Sequence, residues 1–362
     1  MKKHSAIFFF IFLSLIVLVF AHKEGKAMRD VFCNFIEDDR GYVCELTKLK
    51  LFSEDDILRF TGEQMSGKSN EDVKYLHIHS SESNIVPSEN IFNFFVNLEK
   101  LEMKGVGVRT VSTIINCMPL DLIILSDNQI SFLDAGTFIE CANLEILDLA
   151  RNEIKKINDN AFSSLKTLRE LDLSNNQLDK LTRKSIKPMK NLRKLSFRAN
   201  KIKELPYNIF NDLFELRNLD LSDNPLTRLD FRSFDITIRI ESLKLSGTDI
   251  NKLHPYTFRN LRRLRFLDIS RNDLQHIENE LMATNKEVEE IRMNDCGVKS
   301  IGRQFFDKLD RLKTFKALGN KCVDGDYTGD VILMRPKFLD CFIEWDKIKE
   351  RGNKGIHTGD EL

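Results

Sequence analysis

One spacing governs this chain. Leu120, Leu144, Leu168, Leu192, Leu216, Ile240, Leu264, Val288 and Leu312 follow one another at intervals of 24 residues, and Leu98 and Val73 precede them at intervals of 22 and 25. Within each period apolar residues return at the fourth and sixth places, and Asn usually stands at the ninth. Leu144-x-x-Leu147-x-Leu149-x-x-Asn152, Leu168-x-x-Leu171-x-Leu173-x-x-Asn176 and Leu192-x-x-Leu195-x-Phe197-x-x-Asn200 are three successive copies. Later in the period Phe138, Phe162, Phe210, Phe234, Phe258 and Phe306 share one equivalent place, which Ile186 fills once. A unit this short cannot bury its own apolar face, so it is stable only when stacked on its neighbours. The fourth and sixth places point to one face of a short strand, and about eleven such strands stacked in parallel about 4.8 Å apart make an arc on the order of 50 Å. The ninth-place Asn stands where the chain leaves the strand. Its amide can satisfy backbone groups that would cost about 1–3 kcal/mol each if buried unpaired.

These residues resemble the extracellular leucine-rich repeat family of the 24-residue type, from residue 73 to about 321. The resemblance implies an α/β solenoid, a curved horseshoe with a parallel sheet on its concave face. It also implies recognition roles such as innate immunity, adhesion or matrix assembly. The preceding segment, with Cys33, Tyr42-x-Cys44-x-Leu46, Gly67-Lys68 and Asp72-Val73, is similar to the N-terminal region of secreted repeat proteins of flies and midges, although the four-cysteine cap usual in the family is absent. The expected organisation is a signal peptide over residues 1–21, an N-terminal cap over 22–72, the solenoid over 73–321, and a C-terminal cap and tail over 322–362.

Composition narrows the functional classes. The 362 residues carry 55 Lys+Arg against 55 Asp+Glu, a balance that excludes a uniformly basic nucleic-acid binder. The length alone would suggest two domains, but a repeat array makes one elongated domain. At the N-terminus Lys2 and Lys3 precede an apolar run from Ala6 to Phe20, and Val19 and Ala21 place small residues before a cut after Ala21. That run is short for a membrane span, so a cleaved signal peptide, secretion and no span after cleavage are expected. Gly359-Asp360-Glu361-Leu362 resembles an endoplasmic-reticulum retention address with a different first residue, and secretion is the default reading.

Seven cysteines in a secreted chain imply disulfides and one thiol left over. Cys33 and Cys44 flank the turn signal Asp38-Asp39-Arg40-Gly41 and could staple a hairpin over the first repeat. Cys117 and Cys141 each stand three residues before a repeat start, in equivalent places on neighbouring coils, within disulfide reach. Two free thiols are the other reading of that pair. Cys322 and Cys341 fall where a segment would close the far end. Cys296 stands at the ninth place, where the resemblance implies that Cys substitutes for Asn as a free, buried residue.

Two patterns mimic chemistry. Gly62-Glu-Gln-Met-Ser-Gly67-Lys68-Ser69 matches a P-loop, which needs a helix after it to hold phosphate. Here Asn70-Glu71-Asp72 runs straight into the first repeat strand, so a turn is expected. His77-x-His79 places two imidazoles on one face of a strand about 7 Å apart, with Glu102 in the place of His77 one strand on. Two His and a Glu could form an open zinc site. The other reading is a pair of solvated histidines on a polar face; no metal and no cofactor are assigned. No Ser/His/Asp or Cys/His arrangement can be nominated among the seven scattered histidines, so no enzyme is expected.

A partner surface is expected on the inner arc, displayed by the second, third, fifth, seventh and eighth places. Leu122, Ile124 and Ile146 are apolar exceptions on a mostly polar face, a common signature of a protein interface; the other reading is that they pack under a loop or that the 22-residue spacing shifts the register. A second patch is basic: Lys180 to Lys203 holds ten cations and no acid. Of these Arg193, Lys194 and Arg198 fall on the arc beside Arg169 and Arg217, while Lys180, Arg183, Lys184, Lys187 and Lys190 fall on the outer turns. This patch could hold a sulfated glycan through salt-sensitive contacts, and the other reading is a solvated face balanced by Glu170, Asp172, Asp220 and Glu204. An extracellular protein is the first partner class and a polyanion the alternative.

Overall fold

A computed structural model describes residues 28–47, 49, 57–79, 89–111, 114 and 117–356; the expected signal peptide and the Gly359–Leu362 motif lie outside them. Among the described residues one sheet holds fifteen strands: β1 (Met28–Asp38), β2 (Gly41–Leu46), β3 (Ile57–Thr61), β4 (Tyr75–Ile78), β5 (Lys100–Glu102), β6 (Leu122–Ile124), β7 (Ile146–Asp148), β8 (Glu170–Asp172), β9 (Lys194–Ser196), β10 (Asn218–Asp220), β11 (Ser242–Lys244), β12 (Phe266–Asp268), β13 (Glu290–Arg292), β14 (Thr314–Lys316) and β15 (Asp326–Thr328). From β4 to β14 the strands are parallel and adjacent in chain order, one per coil. This is the stack of parallel strands that the 24-residue period predicts, and the leucine-rich repeat solenoid that the resemblance implies. Equivalent places pair laterally, as in Glu170 with Ile146 and with Lys194. The short period between Leu98 and Leu120 leaves this register intact, since Lys100 still faces Leu122.

Backbone pairing runs past the labelled strands. Leu149 N donates to Asp172 O at 2.9 Å and Arg151 N to Ser174 O at 2.8 Å, so each coil is bonded to the next as far as the eighth place. There the chain turns. Asp127, Arg151, Asn175, Ala199, Asp223, Arg271 and Asp295 have φ between 51° and 60°, and Gly105, Gly247 and Gly319 fill the same place with φ of 64° to 71°. The ninth-place Asn then closes the turn. Asn152 Nδ2 donates to Leu125 O at 2.9 Å and Leu149 O at 3.0 Å, while its Oδ1 accepts from Ile130 N at 3.0 Å. Asn128, Asn176, Asn200, Asn224 and Asn272 bond the carbonyls of their own turns in the same way.

The phenylalanine column is buried throughout and stacks between coils, with ring centroids 6.0 Å apart for Phe138 and Phe162 and 6.1 Å for Phe210 and Phe234. Ile186 and Met282 complete it, both fully buried. Each such side chain contributes about 1.5–3 kcal/mol of burial, and the column is what joins the units into one core.

The ends are closed differently. β1 and β2 form an antiparallel hairpin turning at Gly41, bridged by Cys33–Cys44, and β2 continues the parallel arc against β4. At the other end β15 pairs antiparallel with β14, and α1 (Leu339–Ile356) buries Cys341, Phe342 and Trp345, while Phe338 just before it packs against Phe306 and Phe315 of the last coil. The Cys322–Cys341 bridge ties that helix to the array. Cys117 bonds Cys141 inside the solenoid, and Cys296 is a free, buried thiol.

The P-loop match is a turn. Ser69 caps a three-residue 3-10 helix, Asn70–Asp72, and Lys68 Nζ bonds Glu37 Oε1 at 3.0 Å across the hairpin.

Candidate functional site on the concave face

The concave face presents the third and fifth places of successive coils, because the fourth place between them points inward and is buried in each coil. Leu122 and Ile146 are direct lateral neighbours on β6 and β7, and Ile124 is two residues from Leu122 on the same face. Ile146 is exposed, whereas Leu122 and Ile124 are half-buried. The three therefore form one apolar ledge. Beside it a shallow depression of about 380 Å³ runs from Ile146 across Glu170, Lys194 and Asn218 to Ser242.

The fifth place carries an acidic row with a structural task. Asp148, Asp172, Asp220 and Asp268 each accept a hydrogen bond from the backbone N–H two residues on, at 2.8 to 3.0 Å. These carboxylates hold the approach to the eighth-place turn.

The seventh place departs from expectation. Ser126, Ala150, Ser174, Ser222, Ser246 and Ser270 are buried rather than displayed. The left-handed residue that follows swings the chain inward, so only a small side chain fits. His79, Lys104, Arg198 and Leu318 are the exposed exceptions. Gly, Asn and Asp recurring at the eighth place were the signal for this turn.

The basic patch on the arc is balanced. Arg169 pairs with Glu145 at 3.1 Å, Lys194 with Glu170 at 2.7 Å, Arg198 with Asp223 at 2.9 Å and Arg217 with Glu241 at 4.0 Å. Arg271 also reaches Asp223, at 2.6 Å. Burial works against ionisation of Asp223, but hydrogen bonds from Arg271 and Arg198 hold its carboxyl below the ordinary range. Among the described residues Arg193 has no ion pair, and it is exposed. On the outer turn Arg183 pairs with the buried Asp212 at 2.7 Å, while Lys184, Lys187 and Lys190 stay exposed and without ion pairs among the described residues. The uncompensated charge thus lies mainly on the outer turn, away from the arc where Arg169, Lys194, Arg198 and Arg217 sit.

At the N-terminal end of the face, His77 is not a solvated residue. Its side chain is only 20% exposed, and Nδ1 is buried without a hydrogen-bond partner. Burial pushes the imidazole below the ordinary histidine range, opposed by Glu102. His79 lies over it with ring centroids 3.8 Å apart. Sequence reasoning paired these histidines with Glu102 and missed Glu45, which reaches them from the hairpin strand β2.

Comparisons with known proteins agree with this architecture. The model of the family described as leucine rich repeat matches residues 119–178, 166–226 and 238–298, so these segments are leucine-rich repeats. No curated protein sequence matches the chain. Among solved structures the chain is similar to Toll in the Drosophila Toll–Spatzle complex, at 17% identity and a TM-score of 0.58 over 76% of this chain and 43% of that one. It is also similar to TLR13 in its complex with ssRNA13, at 20% identity and a TM-score of 0.61 over 76% and 44%. A leucine-rich repeat protein of Leptospira interrogans shows 21% identity and a TM-score of 0.50 over 76% and 84%. The chain spans less than half the length of the Toll and TLR13 chains it matches. At these identities the likeness is one of fold.

Proposed function

We propose that this chain is an extracellular recognition protein that binds a protein partner on its concave face, anchored on the apolar ledge of Leu122, Ile124 and Ile146. The observation that carries the reading is the lateral pairing of Leu122 with Ile146 beside an otherwise polar, ion-paired groove. An apolar patch rimmed by charge favours a protein interface. The face is rigid before binding, since each strand from β4 to β14 is bonded to two neighbours, so little ordering entropy is lost on docking. Three disulfides support an oxidising, extracellular setting. Toll in complex with Spatzle is a precedent for a protein ligand on this fold. Innate immune recognition, adhesion and matrix assembly are the settings in which such a module would serve. The paired cations of the arc support protein over nucleic acid, and no catalytic step is part of the reading.

The test is capture from extracellular fluid with the chain as bait, beside Leu122→Glu and Ile146→Glu. A captured protein that survives raised salt and is lost in both variants, with melting temperature unchanged, is the expected result. Capture indifferent to both substitutions refutes the ledge. Capture that vanishes with salt and with Lys184→Glu/Lys187→Glu/Lys190→Glu points instead to a sulfated glycan on the outer turn.

A further inference from the structure

The geometry points to a zinc site at the junction of the N-terminal hairpin and the first coil, formed by Glu45, His77 and His79 with Glu102 behind it. Glu45 on β2, His77 on β4 and Glu102 on β5 are register neighbours across three adjacent strands. His79, two residues beyond His77, points to the same face. One ligand atom from each of Glu45, His77 and His79 lies within 4.8 Å of the other two. Tetrahedral zinc with bonds of about 2.0–2.2 Å places its ligands about 3.4 Å apart, so the three must draw together by about 1 Å. His79 is 43% exposed and His79 Nε2 already lies 3.7 Å from Glu45 Oε2, so this movement needs only side-chain rotation.

The surroundings fit a divalent cation. Arg40 donates to Asp38 at 2.6 Å and to Glu45 Oε1 at 3.0 Å, which leaves Glu45 Oε2 turned toward His79. Asp38, Glu45 and Glu102 against Arg40 give the cluster a charge of minus two when both imidazoles are neutral. Glu102 lies 3.8 Å from His77 Nε2 and is itself held by the Tyr75 hydroxyl. A carboxylate fixed behind an imidazole is the usual support of a metal-bound histidine, since it sets the tautomer and the ring orientation. Coordination would also supply a partner to an imidazole that now has a buried nitrogen without one. Glu45, His77 and His79 make a three-ligand set on nitrogen and oxygen with a fourth position open to water, a preference of zinc.

Zinc chloride titrated into the chelator-stripped full chain, in competition with a chromophoric chelator, tests this. Cobalt(II) serves as a second probe, read by its visible absorption. One equivalent of zinc and an intense tetrahedral cobalt spectrum are expected. His79→Ala and Glu45→Gln should each weaken zinc at least ten-fold, and Glu102→Gln should weaken it about 10–100-fold with the stoichiometry kept. His79 is at the surface and Glu45→Gln is isosteric, so both variants should keep the wild-type circular dichroism. The proposal is overturned if the wild-type chain binds no equivalent of zinc, or if His79→Ala and Glu45→Gln bind it as the wild type does.

Discussion

Arg271 reaches Asp223 across two coils, 48 positions apart in sequence, with Nη2 2.6 Å from Oδ1. The coil they span carries Gly247 at the eighth place, and a Cβ there would lie 2.7 Å from Asp223 Oδ1 and 2.9 Å from Arg271 Nη2. The glycine serves twice: its φ of 64° is the left-handed turn, and its missing side chain leaves room for the bridge. Gly247→Ala should therefore lower stability by about 1–2 kcal/mol, from backbone conformation and displaced bridge together. Arg271→Ala alone should cost little, because the pair is at the surface. In the double variant the two costs should add to less than their sum, read from urea midpoints. Strict additivity would show that Gly247 and the bridge are independent.

The asparagine ladder gives a sharper expectation. Asn152 bonds Leu125 O, Leu149 O and Ile130 N, three buried backbone groups on two coils. Asn152→Ala would leave Ile130 N without its acceptor, while Leu125 O and Leu149 O each lose one of two donors and keep Asn128 Nδ2 and Asn176 Nδ2, so a loss of about 1–3 kcal/mol is expected. Thr248 fills the ninth place of its own coil by donating to Asn272 Oδ1 at 2.6 Å, so Asn152→Thr should cost less than Asn152→Ala. Because each coil touches only its neighbours, hydrogen exchange should accelerate first in the coils on either side of residue 152. Uniform acceleration along the array would contradict nearest-neighbour coupling.

These residues also show what the sequence could and could not disclose. Strands, phenylalanine column, ninth-place asparagines and the equivalent places of Cys117 and Cys141 are periodic, and a period is visible without coordinates. Which acid meets which cation was hidden because partners lie one period apart: Glu145 is 24 residues before Arg169, and Glu170 is 24 before Lys194. The ten cations between Lys180 and Lys203 suggest Glu170, Asp172, Asp220 and Glu204 as balancing acids; Glu170 does pair with Lys194, but Asp212 and Asp223, which pair with Arg183 and Arg198, were not legible as their partners. Glu45 was out of reach for a different reason. It belongs to the hairpin, which carries no repeat, and only the pairing of β2 with β4 sets it beside His77.

Cys296 makes the last prediction, one in pH. It replaces the ninth-place Asn of its coil, with Sγ 3.1 Å from Ile269 O, and it is fully buried. Burial pushes the thiol from its ordinary 9.0 up to about 12. The group is an acid whose folded value is raised, so between these two values the unfolded chain gives up its proton while the folded chain keeps it. Stability from this source is whole below about pH 9 and falls as pH rises toward 12, by at most about 1.4 kcal/mol per unit. Other groups titrate in the same range, so the measurement is a difference. The stability gap between the wild type and Cys296→Ala should narrow steadily above about pH 9, and the native thiol should stay silent to a disulfide reagent until the chain unfolds. A gap that holds constant across that range would mean that the thiol is not shielded where the structure places it.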